Sequence, residues 1–283
     1  MKTNAIVRIV LFSIAIVMLV SILLAWLAFG LYLPSGTSEV TNTAEILPNT
    51  SADAAQIRNL DIEWASGFIV IQPDAGVSEI QISETYVDST KYQMVCKQSG
   101  NTLKIQYCED SVTFPSFGIN IDVSKDLVIT VPADWICDSL DIDAAAANVE
   151  VRDLTLGEVD FDGASGTCNF VNCQVDQIDL DGASGDISFT GTLNELDFDG
   201  ASASCRLEVT NVPRRISMDG MSGDLDLTLP EECGFTVSMD ALSSDFYSDF
   251  PTTVSNGNYV HGDGQCRISF NGLSGDLTIR KAS

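Results

Sequence analysis

Basic residues are scarce in this chain. Its 283 residues hold 14 Lys plus Arg against 40 Asp plus Glu, a formal charge of −26, and a single histidine, His261. One histidine excludes a three-histidine zinc site and leaves little for a Ser/His/Asp triad. No C-x-x-C spacing occurs among the eight cysteines, so zinc-ribbon and thioredoxin-like chemistry lack their signature. The acidity repels phosphate backbones and anionic lipid, which excludes nucleic acid as a partner and peripheral electrostatic docking on membranes. Cations and basic partners are what such a surface attracts.

Charge is missing altogether from Ile9 to Leu33, twenty-five residues rich in Ile, Leu, Val, Ala and Phe. About 20 apolar residues cross a bilayer, whereas a signal-peptide core is roughly 7–15 long, so the run predicts an uncleaved transmembrane helix over 9–33. Lys2 and Arg8 precede it and all forty acids follow it. The positive-inside rule therefore predicts a cytoplasmic stub over 1–8 and an extracytoplasmic remainder, a single-pass cell-membrane protein. Residues 34–59 are Ser/Thr/Asn/Ala/Pro-rich and read as a flexible tether with a reach of about 25–30 Å.

Beyond the tether the chain repeats. LDIDAAAANVEV begins at Leu140, VDFDGASGTCNF at Val159, IDLDGASGDISF at Ile178 and LDFDGASASCRL at Leu196. ISMDGMSGDLDL from Ile216, VSMDALSSDFYS from Val237 and ISFNGLSGDLTI from Ile268 continue the series, and an outlying LDIEWASGFIVI starts at Leu60. The intervals from Leu140 are 19, 19, 18, 20, 21 and 31 residues, the spacing of solenoid coils. Each copy alternates apolar and polar residues, turns at a small-residue tetrad and alternates again, so one face of each strand is inward. Inward columns then read Val149, Cys168, Ile187, Cys205, Leu225, Phe246, Leu277, and Cys137, Leu156, Val175, Leu193. The fold class predicted is all-β, a right-handed parallel β-solenoid over 60–283. Residues 60–135 are divergent N-terminal coils and cap, with a hairpin across SGN at 99–101, and 136–283 are regular repeats. Arg280 and Lys281, after the last strand, are expected to discourage strand addition at an open end.

Outward positions form two ladders of acids: Asp141, Asp160, Asp179, Asp197, then Ser217, Ser238, Ser269; and Asp143, Asp162, Asp181, Asp199, Asp219, Asp240, then Asn271. Stacked strands lie about 4.8 Å apart, where two carboxylates repel by about 0.9 kcal/mol in water and about 3.5 kcal/mol at an effective dielectric of 20. Two devices would offset this. The Asp before each tetrad would accept hydrogen bonds from the N–H groups of the corner. Alternatively a calcium ion, which takes about six to eight oxygens, would sit among Asp141, Asp143, Asp160, Asp162, Asp179, Asp181, Asp197 and Asp199. DGASGD echoes the calcium turn of RTX β-rolls, but those repeat every nine residues and carry paired glycines. No other cofactor is implied.

Cys137, Cys168 and Cys205 occupy inward positions that Ile, Leu and Val fill elsewhere, as small hydrophobes. Cys96 and Cys108 fall on opposite faces of the hairpin. Cys233 and Cys266, each just upstream of a copy, are the best-placed pair for a bridge in an oxidising compartment. Parallel β-helices also house carbohydrate-active enzymes with paired acids, yet here every coil carries acids and none is singled out. Arg206, Arg214 and Arg215, the one basic cluster on the coils, are expected to neutralise neighbouring acids.

The run LVITVPADW, the DGASGD-type coils, the segment SDFPTTVSNGNYVHGDGQCRISF and the closing LSGDLTI resemble the bacterial adhesin-like family labelled DUF4097, over roughly Leu60 to the C-terminus. The resemblance implies a right-handed β-helix outside a bacterial envelope, often behind one N-terminal membrane segment. That family has no established activity, so no functional residue is carried over. The expected function is a non-enzymatic, membrane-anchored, adhesin-like module that binds an envelope protein or cell-surface ligand. A calcium-stabilised adhesive roll and a carbohydrate-active β-helix enzyme stand as alternatives.

Overall fold

The computed structural model describes residues 45–46, 51–85, 93–108, 124–202 and 204–282. The expected membrane helix at 9–33 lies outside the described residues, and no helix among those described is long and apolar enough to cross a membrane. Among the described residues all the regular structure is β, in one continuous sheet of twenty strands.

The period-two pattern folds as its columns require. Leu140, Val159, Ile178, Leu196 and Ile216 stack in register on successive parallel strands, each nearly or wholly excluded from water. A second column runs Val149, Cys168, Ile187, Cys205, Leu225, and a third runs Cys137, Leu156, Val175, Leu193. A coil alone has no second layer, so its apolar edge is buried only by the coil above and below. Phe170 and Phe189 show this directly, with ring centroids 6.2 Å apart on neighbouring coils.

Corners are closed by glycine where nothing else fits. Gly185 has φ +146°, and a Cβ there would stand 1.9 Å from the carbonyl oxygen of Gly166 on the coil before it. Gly182, three residues earlier, would meet nothing nearer than 3.5 Å. In this corner both the backbone angle and the close approach select glycine at Gly185 and neither does at Gly182.

Spatial order departs from chain order at both ends. At the C-terminal end the strand Cys266–Ser274 lies between Arg215–Ser222 and Phe235–Ser243, so the last copy in the chain is the penultimate coil in space. The matching second-face strand, Leu277–Lys281, likewise lies between Leu225–Leu229 and Phe246–Ser248. The column therefore continues Leu225, Leu277, Phe246 and not in sequence order. Arg280 and Lys281 consequently do not guard an open end: Arg280 bonds Asp226 on the neighbouring strand at 2.7 Å. The outermost strand Phe235–Ser243 is instead covered by antiparallel Asn258–His261, which pairs in turn with Thr253–Ser255.

The N-terminal end mirrors this. Asn59–Asp74 is a full coil beside Ile136–Arg152, with Leu60 opposite Leu140, while the later strands Thr102–Gln106 and Leu127–Pro132 lie outside it. Antiparallel Val95–Ser99 and Ile80–Glu84 cover those two and are covered in turn by two-residue strands, Glu45–Ile46 and Ser51–Ala52, so no long strand is left at the edge among the described residues. The hairpin turns at Gly100, where it was expected. The domain also starts upstream of Leu60. Ser51–Ala52 pairs with Ile80–Glu84, Ile57 is fully buried, and the Trp135 indole donates to the Ile57 carbonyl at 2.9 Å. The end of the expected tether is thus part of the folded edge.

Beneath this cap lies a buried cation. Lys125, with no side-chain exposure, pairs with Glu84, donates to the Tyr107 carbonyl at 2.5 Å, and sits 4.7 Å and 4.2 Å from the ring centres of Trp64 and Tyr107. Burial pulls its pKa down and Glu84 pushes back.

Candidate functional site: the acidic sheet face

The eight acids singled out from the sequence do come together on one outward sheet face. Asp141, Asp160, Asp179 and Asp197 are opposite one another in register, and so are Asp143, Asp162, Asp181 and Asp199. Seven are exposed and Asp197 is half-buried. Glu158, Gln177 and Glu195 form a third column beside them.

The expected corner bonds are not what holds the ladder. Corner N–H groups donate to the neighbouring coil: Ala164 to the Ala144 carbonyl at 3.3 Å, Ser165 to the Ala145 carbonyl at 3.1 Å. The strand ladder runs on through the tetrad, with Gly163 opposite Gly182 and Gly182 opposite Gly200, so these donors are already taken. The Asp side chains are left facing one another.

Their ionisation records this. Partial burial, with the charges of Asp61, Asp143 and Asp160, pushes Asp141 up to about 6. The same causes raise Asp143, Asp160, Asp162, Asp179 and Asp199, burial leading in each and neighbouring ladder acids following. Among the described residues no group of three or more Asp, Glu, His or Cys is arranged to hold a metal ion.

The ladder is closed at its two ends. Outside Asp61 and Glu63 stands Thr102–Gln106, which places Lys104 opposite Asp61 and Gln106 opposite Glu63. Lys104 Nζ lies 2.9 Å from Asp61 and 2.5 Å from Glu63, and Gln106 donates to Glu63 at 2.8 Å. At the other end Arg215 holds Asp197 at 2.9 Å, and Arg214 lies 3.3 Å from both Asp176 and Glu195. Arg206 faces Asp226 at 3.9 Å. The basic cluster thus neutralises acids, as its sequence context suggests. Between Asp219 and Asp240 the structure inserts Asn271. Sequence reasoning missed Lys104 and Gln106 as ladder members. The signal was present, since TLKIQ aligns with NLDIE and puts Lys and Gln at the two acid positions.

A small depression between coils, lined by Phe161, Leu180 and Phe198 near Gly163 and Gly182, has a cavity volume of about 20 Å³, about one water molecule. A wider one of about 240 Å³, at the opposite corner, is lined by Asp153, Asn172, Gln174 and Thr192. The ladder carboxylates stand on the outward sheet face, with Asp181 at the rim of the smaller depression.

No curated protein matches the sequence. Two solved structures are similar: a proposed cell adhesion protein from Clostridium sporogenes ATCC 15579, at 10% identity and TM-score 0.33, and a proposed adhesin from Bacteroides fragilis NCTC 9343, at 16% identity and TM-score 0.44. Each comparison covers 85% of this chain and 99% of the other. The family model described as Toastrack DUF4097 matches residues 57–212, more than half of the sequence. The chain belongs to the DUF4097 (Toastrack) family.

Proposed function

We propose that this chain is a non-enzymatic surface module of the cell envelope: residues 9–33 anchor it in the membrane, residues 1–8 face the cytoplasm, and the solenoid is held outside as an adhesin-like binding element. One observation carries the reading. The solenoid aligns eight outward aspartates in two columns; Arg215 holds Asp197, and most of the others stand beside ladder neighbours of like charge that raise their pKa values. Carboxylates held at about 4.8 Å spacing on a rigid sheet present a high negative potential to a cationic ligand, which relieves their mutual repulsion on binding. The partner class is therefore a basic envelope protein or a cationic cell-surface polymer.

Catalysis is left out of this reading because the acids repeat in every coil and the arginines beside them are engaged in ion pairs. Calcium bridging of the ladder is the competing way to discharge it, favoured by the mutual repulsion that raises the pKa values of Asp141 and its neighbours.

Protease treatment of intact producing cells tests the placement. Cleavage within residues 34–44 should release the solenoid as a soluble fragment before lysis. Protection of the solenoid until the membrane is broken would overturn it.

A further inference from the structure

All eight cysteines stand as buried thiols, but they are not equivalent. Cys137, Cys168, Cys173 and Cys205 line the core; Cys137 Sγ lies 3.1 Å from the Ser139 carbonyl, and Cys173 Sγ 3.5 Å from the Val151 and Val171 carbonyls. Burial pushes Cys96 up to about 11, Cys137 and Cys205 up to about 12, and Cys168 further. These are inert hydrophobes.

Cys233 and Cys266 differ. Both are fully buried; Cys233 Sγ lies 3.9 Å from the Gly234 carbonyl, and the two thiols are near enough to shift each other's ionisation, Cys233 down and Cys266 up. They enter two adjacent parallel strands: Phe235 is opposite Cys266, and the Cys266 N–H donates to the Gly234 carbonyl at 3.0 Å. Their surroundings are fixed from both sides. The Cys233 N–H closes a turn on the Pro230 carbonyl at 3.0 Å, and Gly234 is so close to Asp263 that a Cβ would fall 2.1 Å from its carboxylate. Phe235, next in the chain, is packed edge-on against Phe250 at 5.4 Å and against His261 at 5.4 Å. Two thiols on neighbouring strands, excluded from water and near enough to shift each other's ionisation, form a modification site that the rest of the fold does not use.

We propose that Cys233 and Cys266 form a disulfide that staples the outermost C-terminal coil to the coil beneath it. The loop it closes contains Phe235–Ser243, Phe246–Ser248 and the covering hairpin, the one part of the repeat region stacked on a coil from one side only. Terminal coils of a solenoid fray first because they have a single neighbour, so a crosslink here acts where opening begins. The oxidant is a disulfide of small-molecule or protein type. The Cys233 thiolate, favoured by the neighbouring Cys266, attacks one sulfur of that disulfide and expels a thiolate. Cys266 then loses its proton and attacks the Cys233 sulfur, expelling the second thiolate. Two protein thiols become one disulfide, and two electrons reduce the oxidant to two thiols. Because both sulfurs are buried, the reaction belongs to the opening or closing of the terminal coil, and the finished bridge is shielded from reductant.

In the cell this rests on the reading that the solenoid lies outside the cytoplasm, where such oxidants persist. The experiment is independent of it. The purified full chain in detergent is refolded in oxidised glutathione or in dithiothreitol, and each product is measured by intact mass, non-reduced peptide mapping and thermal melting. Expected in the oxidised sample are a mass about 2 Da lower, one linked peptide joining Cys233 to Cys266, and a melting temperature about 5–10 °C higher. Cys266→Ser should abolish the link and the thermal gain, and Cys168→Ser should keep both. A refolded chain that retains eight free thiols, or a bridge joining other cysteines, would overturn the proposal. A Cys233–Cys266 bridge in a solenoid that cell-surface proteolysis finds inside the cell would overturn only the export reading.

Discussion

The Asn271 amide donates to the Asp219 carboxylate at 2.6 Å across two strands that are 52 residues apart in the chain. This bond exists because the last copy of the repeat is threaded between the two copies before it, and it sets a neutral donor between Asp219 and Asp240. Asn271→Asp should therefore place three carboxylates in a row and lower the melting temperature by several degrees at pH 7.5. Asn271→Ala removes the bond without adding charge and should cost about 1 kcal/mol. Melting in high salt separates the two, since only the loss in the Asp variant should shrink.

Corner geometry makes a paired prediction. Gly185→Ala forces a side chain onto φ +146° and into the Gly166 carbonyl, and should cost at least about 1–3 kcal/mol. Gly182→Ala, three residues away in the same corner, should be nearly neutral, because its Cβ finds ordinary contact distance. Urea unfolding of the two variants checks the difference, and equal losses would refute the assignment of the tight position.

Stability should depend on pH in the direction opposite to ordinary acid denaturation. Ladder carboxylates have folded pKa values above the usual 3.8, with Asp141 at about 6, so the folded chain binds more protons than the unfolded one between those limits. The full contribution of Asp141 is present below about 4 and is lost as pH rises through about 6, and the other raised ladder acids act in the same direction. Glu63, held low by Lys104 and Gln106 against the opposing effect of burial, works the other way, but only as pH falls below about 4.5. The melting temperature should accordingly be higher at pH 5 than at pH 7.5. Millimolar calcium at pH 7.5 checks the competing reading: a large upward shift would support bridging cations, and none would remove them.

Lys125 and Glu84 form a buried pair under the N-terminal cap, so Lys125→Met strands a carboxylate in the interior and should cost about 3–5 kcal/mol. Adding Glu84→Gln should return part of that loss, because the uncompensated charge is then gone. A double-mutant cycle by chemical unfolding measures the return.

Much of the architecture was legible in the sequence, and the reasons are physical. Period-two alternation fixes which side of each strand is buried, and a repeat of constant length fixes which residues share a column, so Val149, Cys168 and Ile187 could be aligned without coordinates. What alternation does not encode is which coil lies next to which. Copies at Ile216, Val237 and Ile268 carry the same pattern and fit any order, and only the 31-residue interval between the last two hints that a hairpin intervenes. The role of the pre-corner Asp was misjudged for a related reason. A tetrad read alone looks like a tight turn with free N–H groups, whereas stacked coils supply carbonyl acceptors for those groups and leave the Asp unclaimed. The face of acids was visible beforehand; the residues that close it, Lys104 and Asn271, depended on the order of coils at each end.

The central claim is that the address of the charge, and not its total, makes this surface a binding element. Binding of the full chain to immobilised polylysine, compared between two variants of equal net charge, tests it most directly. One carries Asp160→Asn, Asp162→Asn, Asp179→Asn and Asp181→Asn on the ladder; the other carries Glu79→Gln, Asp134→Asn, Asp138→Asn and Glu232→Gln, exposed acids elsewhere. The ladder variant is predicted to bind at least about tenfold more weakly, about 1.4 kcal/mol, while melting at a higher temperature, and the second variant to bind as the parent does. Equal weakening of the two would contradict the account.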